Sequence, residues 1–379
     1  RGLVAAALAV LAAAAVVSAA VAKPVAQAAP QQAECTGASL GFLGPLTGPA
    51  AFIGNEQLSW LQFAIQKYNA RYNTTFNVVQ GDTELKAPVA RTQARRFVSN
   101  QEVMAVIGGS ESQAVRVSGN LFEAARLASI SGSATAIDLT KRRPYGTFFR
   151  VVPNDGIQGP TVVKYVRGKL KAKNVVVIDS QDDYSLPLAR AVAGKLRAGG
   201  VTVSRESVSA DDTDFSSVVA NVGGNVDVVV FATQVANAAN TLSNQLREQG
   251  KRAVVFGTDG AYSPSEFKPR TGYVSGFAPD LHSVRTQRTL VRDYNRFAKN
   301  RTFGIFGPPT YMAGWAAMDA IRKACANDSA TRAEVTRLVR QTNIPSIIGG
   351  RTRFDKKGDL FGGGSFTVFK ITNGKYAVA

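Results

Sequence analysis

Val103-Met104-Ala105-Val106-Ile107-Gly108-Gly109-Ser110-Glu111-Ser112-Gln113 is the stretch whose reading decides the architecture. Its first five residues are all apolar, which describes a strand buried on both faces, since a half-exposed strand would alternate with polar residues. Two glycines then let the backbone turn closely, and hydroxyl side chains open a helix predicted near residues 114–126. The same unit repeats upstream. A strand at residues 39–43 precedes a helix carrying Leu58, Leu61, Ile65 and Tyr68 at helical spacing, and a strand at 76–79 precedes a helix at 88–99. Downstream lies a strand at 127–130, then a connecting run at 148–152. The alternation starts afresh with strands at 174–178, 201–204, 227–231 and 253–256. Apolar strands alternating with helices form parallel sheets covered on both faces, and this many strands favour two sheets over one. The predicted fold class is therefore α/β, with two doubly wound parallel-sheet lobes. The last third departs from the pattern. Helices near 287–299, 311–326 and 331–341 lead into a β-rich tail with turn signals at Lys357-Gly358 and Asn373-Gly374. Gly362-Gly363-Gly364 reads as a flexible connection, since no Lys-Ser/Thr follows to make a phosphate loop.

A length of 379 residues also suggests two domains. The chain holds 45 basic and 27 acidic residues, a formal charge of +18. The basic residues are scattered singles and pairs with no block of five, so nucleic acid is not an expected partner. One histidine (His282) and two distant cysteines draw no metal site of ordinary spacing, and no cofactor is expected. The single G-x-S-x-G string, at residues 37–41, runs into a strand, whereas a nucleophile elbow needs its serine on the turn into a helix. Ser265 and Lys268 match S-x-x-K without its partner motifs. These absences argue against an enzyme. At the other end, Arg1 is followed by an almost uncharged run over residues 3–22, with A-x-A patterns at Ala20/Ala22 and Ala26/Ala28. That reads as a signal peptide over residues 1–28, the alternative being a retained membrane helix. Gln32-Ala33-Glu34 before Cys35 does not make a lipobox, so a periplasmic or secreted protein is expected.

Ligands of doubly wound sheets sit beyond the carboxyl ends of strands, beside helix N-termini. Two hydroxyl-rich turns occupy such positions, 108–113 and Ser131-Gly132-Ser133-Ala134-Thr135, and suit either a carboxylate or simple helix capping. In the second half, Asp179 to Tyr184 offers an aromatic wall. Gly257-Thr258-Asp259-Gly260 offers an acceptor for an ammonium group or, equally simply, an Asx-turn.

These residues resemble the type I periplasmic solute-binding proteins of the Leu/Ile/Val-binding kind, which serve ABC transporters. The resemblance runs in order through residues 40–49, Val106 to Ser112, Ile130 to Ala136, Phe149-Arg150, Asp183-Tyr184, 256–260, Arg353-Phe354-Asp355 and Gly358-Asp359. It implies a carboxylate-binding serine at Ser112, a backbone-binding position at Ser133, a threonine at Thr135, a stacking tyrosine at Tyr184 and an amine-binding acid at Asp259. Phe52 and Tyr311 are its candidate aromatic contacts. It further implies three crossings between lobes: lobe one from residues 36–148 and 284–349, lobe two from 149–283 and 350–379. Within that scheme Cys35 and Cys325 fall at the same end of lobe one, and a disulfide between them is expected. The implied function is a monomeric extracytoplasmic receptor closing on a small ligand, an amino acid or a related small acid or amide, for the membrane permease of an ABC importer. A ligand-sensing subunit signalling through a membrane partner is the alternative.

Overall fold

The computed structural model describes residues 33–34, 37–141, 144–299, 301–327 and 329–379. The expected signal peptide and Cys35 lie outside the described residues.

The first sheet takes shape in the first 150 residues. After a two-residue strand β1 (Ala33–Glu34), β2 (Ser39–Gly44) leads to α1 (Ala51–Tyr72), β3 (Asn77–Asp82) to α2 (Ala87–Ser99), and β4 (Val103–Gly108) to α3 (Ser112–Ala124). Then β5 (Ala128–Ser131) leads through the short α4 (Asp138–Lys141) to β6 (Phe148–Arg150). The strands stand in the order β3-β2-β4-β5-β6, all parallel. The chain then crosses to a second sheet through α5 (Asp155–Lys164), β7 (Asn174–Asp179), α6 (Ser185–Ala198), β8 (Thr202–Ser207) and α7 (Ser216–Asn221). It continues through β9 (Val228–Ala232), α8 (Ala236–Glu248), β10 (Val254–Gly257) and β11 (Thr271–Gly276).

Helices α9 (Arg288–Phe297), α10 (Gly307–Ala324) and α11 (Arg332–Arg340) pack back on the first sheet, and β12 (Ser329–Ala330) between the last two pairs with β1. The short strands β13 (Asn343–Pro345) and β14 (Arg351–Arg353) pair with each other, and β15 (Thr367–Thr372) and β16 (Lys375–Val378) complete the second sheet in the order β16-β15-β11-β10-β9-β7-β8. Both sheets are doubly wound, with order reversals between β2 and β4 and between β7 and β9. The second sheet is not wholly parallel as expected: β15 runs antiparallel to β11, and β16 folds back on β15 around Asn373-Gly374. That turn sits at positive φ, as the Asn-Gly pair predicts. Strand β11 escaped the sequence reading because Thr271, Gly272, Ser275 and Gly276 leave only two apolar residues in it.

The first core is knit by α1 against α10. Trp60, Phe63 and Tyr68 are fully buried, and Gly307 is needed where a Cβ would lie 1.9 Å from the Trp60 ring. Glu56 in α1 accepts the N–H groups of Gly304, Phe306 and Gly307 at 2.7–3.0 Å, satisfying donors that the start of α10 leaves open.

One fully buried arginine joins the two halves. Arg150, at the end of β6, donates from Nε to Asp359 Oδ1 (2.6 Å). Its Nη1 donates to the carbonyls of Ala134 (3.0 Å) and Ala136 (2.8 Å), and its Nη2 to Thr140 Oγ1 (2.6 Å). Asp359 reaches it because Gly358, at φ +94°, lets the backbone lie against β6, where a Cβ would stand 2.3 Å from the Phe148 carbonyl oxygen. Removing one member of a buried, hydrogen-bonded ion pair strands the other, typically at about 3–5 kcal/mol. Arg150→Ala is expected to lose stability in that range in urea unfolding; a loss under about 1 kcal/mol, the scale of an exposed pair, would contradict the role.

Candidate functional site

The carboxyl ends of the two sheets face each other, and the residues just past those strands meet there. On the first side, the turn after β4 and the turn after β5 are zipped together. Ser131 Oγ donates to Gly109 O (2.7 Å) and Ser133 Oγ to Ser110 O (2.6 Å), while Ser112 Oγ accepts from Ala136 N (3.3 Å). Gln57 of α1 donates from Nε2 to Ser133 Oγ (2.9 Å). The hydroxyls of Ser112 and Ser133 thus brace the turns. Helix α3 has no side-chain cap, so the N–H groups of its first turn, just past the carboxyl end of β4, have no capping side-chain oxygen. Capping, the simpler reading of this turn, is not what the serines do.

On the second side, Asp259 follows β10. Its Oδ1 accepts from Tyr184 Oη (2.7 Å) and from Gln158 Nε2 (2.5 Å). Tyr184 Oη also lies 2.7 Å from Thr258 Oγ1, so the ring is fixed over the carboxylate. The Asx-turn alternative does not hold either, since these bonds come from α5 and the α6 loop. The structure therefore gathers five expected residues, Ser112, Ser133, Thr135, Tyr184 and Asp259, all buried, at one junction.

The sequence reading missed Asp155, the first residue of α5, whose backbone N–H bonds Thr135 O (2.9 Å). Asp155 faces Thr135 and Asp259, yet neither of its carboxylate oxygens nor Thr135 Oγ1 completes a hydrogen bond. Gln158, one turn on, keeps Oε1 unbonded as well. Asp155 stands directly after the Asn154 cap of α5, so it read as an ordinary helix start. Its position just past the first crossing was the available signal. A cavity of about 370 Å³, lined by Arg116, Ile137, Asp138, Asp182 and Leu186 among others, opens onto Asp155 from outside.

The two aromatic candidates fare differently. Phe52 sits where the halves meet, its ring edge-on to Phe306 at 5.9 Å, beside a cavity shared with Ser263. Tyr311 corrects the expectation: it faces α1 in the first core, against Trp60 and Phe63, because α10 turns that side toward α1. Phe306, just before α10, occupies the junction instead, also touching Phe277. His282 is exposed and stacks on Phe303, away from this cluster. The halves touch across the mouth through Arg116 Nε to Asp183 (2.9 Å) and Gln234 Nε2 to Gln113 Oε1 (3.2 Å).

The profile of the family described as periplasmic binding protein matches residues 38–375. The chain belongs to that family. As a member it is a solute-binding receptor and not an enzyme. This binding protein is similar to the Leu/Ile/Val-binding protein of Escherichia coli K12, with 26% identity covering 85% of this chain and 88% of that protein. It is also similar to the Leu/Ile/Val-binding protein BraC3 of Rhizobium johnstonii (28%; 90% and 93%). Among solved structures, the leucine binding protein LivK of Thermotoga maritima superposes with a TM-score of 0.81 at 21% identity, covering 90% of this chain and 97% of that one. LivJ of Streptococcus pneumoniae gives 0.79 at 23%, covering 90% and 99%. The type I fold of these receptors is the fold of this binding protein. Among the described residues, no helix is long and apolar enough to cross a membrane.

Burial raises Asp155 to about 8, with the Asp259 charge adding to it, and raises Asp259 to about 6. A carboxyl group raised on folding stabilises the fold while protonated, and this contribution is lost as pH climbs from about 4 through about 8. A ligand bringing an ammonium group here would favour the ionised forms, so its binding would release protons near neutrality and tighten as pH rises from about 6 to about 8. Asp155→Asn is expected to remove its share of the melting-temperature slope, the remainder coming from the other carboxyls raised by burial, among them Asp259, Asp182, Glu266 and, at about 7, Glu56 and Glu111. It should also lower the proton release measured by calorimetry in buffers of different ionisation heat. Unchanged proton release in Asp155→Asn would contradict the assignment.

Proposed function

We propose that this protein captures an amino acid between its two halves and hands it to the permease of an ABC importer. The observation that carries the reading is the pairing of opposite chemistries across one junction. Uncapped N–H groups at the start of α3 suit a carboxylate, while Asp259, with Asp155 and Thr135 unbonded beside it, suits an ammonium. The relatives named for Leu, Ile and Val binding, and the LivJ structure in complex with isoleucine, support the same ligand class.

The two halves act as lobes with the boundaries given above, residues 36–148 with 284–349 and 149–283 with 350–379, and closure is a hinge motion selected by ligand contacts from both. Residues 1–28 are the export signal of a monomeric periplasmic or secreted receptor. The β1–β12 pairing supports the Cys35–Cys325 disulfide, because it lays residues 33–34 beside 329–330, close after Cys325. Peptide mapping without reductant tests it: a linked pair is expected, and free thiols at both positions would refute it.

The functional reading is tested by titrating amino acids into the purified, ligand-stripped protein. At least one should bind, and Asp259→Ala should weaken it by about tenfold or more, the scale of a lost charge-assisted hydrogen bond. Undiminished affinity in Asp259→Ala would remove the ammonium role.

A further inference from the structure

Helix α3 carries more than the uncapped N–H groups of the first wall. Gln113 and Arg116 lie three residues apart on it, so they share one face, and both meet the second half. Gln113 Oε1 accepts from Gln234 Nε2 (3.2 Å), which also donates to Asp182 Oδ2 (3.3 Å). Arg116 reaches the next residue, its Nε standing 2.9 Å from Asp183 Oδ2. The contacts thus lead to residues 182 and 183, directly before Tyr184, the ring that orients Asp259. Asp182 is itself fixed, since its Oδ1 accepts the backbone N–H groups of Tyr184 (2.9 Å) and Ser185 (2.6 Å).

Arg116 is held in place by its own half. Its Nη1 and Nη2 donate to Asp138, the first residue of α4, at 2.6 and 3.3 Å. Its backbone carbonyl accepts from Tyr145 Oη (3.2 Å). The donors of a guanidinium form a rigid fork, so binding Asp138 through the Nη end leaves the Nε edge for the second half. That N–H completes no directed hydrogen bond, so the contact with Asp183 is an attraction between charges. Asp183 forms no other ion pair among the described residues. The two side chains are 37% and 41% exposed, which places the pair among the modest, salt-screened ones. Arg116, Asp138, Asp182 and Asp183, with Lys141, also line the cavity that opens onto Asp155. The pair therefore joins the halves at an opening to the site.

Resting on the receptor reading above, we propose that the Arg116–Asp183 pair is a latch that sets how long the ligand stays, with Asp138 positioning its arginine. Ligand enters while the halves are apart and the pair is broken, so association does not depend on it. Departure requires the halves to part, and the pair must break for that to happen. Its loss acts on dissociation, by the small factor that an exposed ion pair allows.

The test begins with calorimetric titration of the twenty standard amino acids into the ligand-stripped full protein. The tightest binder, radiolabelled, then gives association and dissociation rates by rapid filtration with an unlabelled chase. Arg116→Gln and Asp183→Asn, each checked for folding by its melting transition, should speed dissociation about twofold to fivefold and leave association within about twofold. The double variant should dissociate no faster than the faster single one, because the same interaction is lost only once. In about 1 M salt, where the screening length falls to about 3 Å, the gap between native and variant proteins should narrow. Asp183→Asn leaves the Arg116–Asp138 bonds in place, so it separates the latch from a loosening of α3 against α4. Unchanged dissociation in Asp183→Asn overturns the latch, and so do additive effects in the double variant; either result leaves the receptor reading standing. Binding of none of the twenty overturns the receptor reading, and the latch with it.

Discussion

The arrangement depends on one guanidinium buried away from solvent. Arg150 is buried at the point where the chain leaves the first sheet, and a charge in that position must be fully paired. Its partners come from the turn that carries Thr135 and from Asp359, near the end of the chain's last crossing. Asp359 in turn accepts from Thr140 and from Asn154, which caps α5. One ion pair therefore fixes the turn after β5, the start of α5 and the return of the C-terminal segment together. Thr135 and Asp155 are set in the cleft as a consequence. A guanidinium is suited to this because its fork of donors has fixed geometry, which an ammonium lacks.

From that anchor the site is built by spending some polar groups and withholding others. The serines that face the cleft are spent on joining two turns, which makes the first wall rigid. The carboxylate of Asp259 is oriented by Tyr184 and Gln158, so the second wall is rigid too. The withheld groups are the oxygens of Asp155, Gln158 and Thr135, buried without a completed hydrogen bond at a cost in stability that a ligand able to pair with them relieves. Binding energy of that kind favours the closed arrangement only if the ligand touches both walls at once. Across the mouth the two walls also meet directly, through Arg116 to Asp183 and Gln234 to Gln113.

Much of the fold was legible because a doubly covered parallel strand can only be apolar. Runs such as 103–107 and 174–178 announce themselves, and their alternation with helices gives the two sheets. Strand β11 was hidden for the opposite reason: it pairs on both sides by backbone bonds while its side chains are mostly small and polar. The site was half legible. Residues directly past strands, Ser112, Thr135, Tyr184 and Asp259, follow from the rule of strand ends. Gln57, Asp155 and Gln158 sit on helices, and their roles come from contacts across 76 or more positions in sequence for Gln57 and 101 for Gln158. Tyr311 shows the limit of carrying an aromatic position over from a resemblance, since its side of α10 belongs to the core.

The central claim is that ligand bridges two separately anchored walls and so closes them. Small-angle X-ray scattering of the ligand-stripped protein, with and without a saturating bound amino acid, tests it most directly. The account predicts a smaller radius of gyration with ligand, and for the Asp259→Ala protein the same decrease only at the higher amino-acid concentration that its weaker binding requires. A radius of gyration unchanged on demonstrated binding would contradict it.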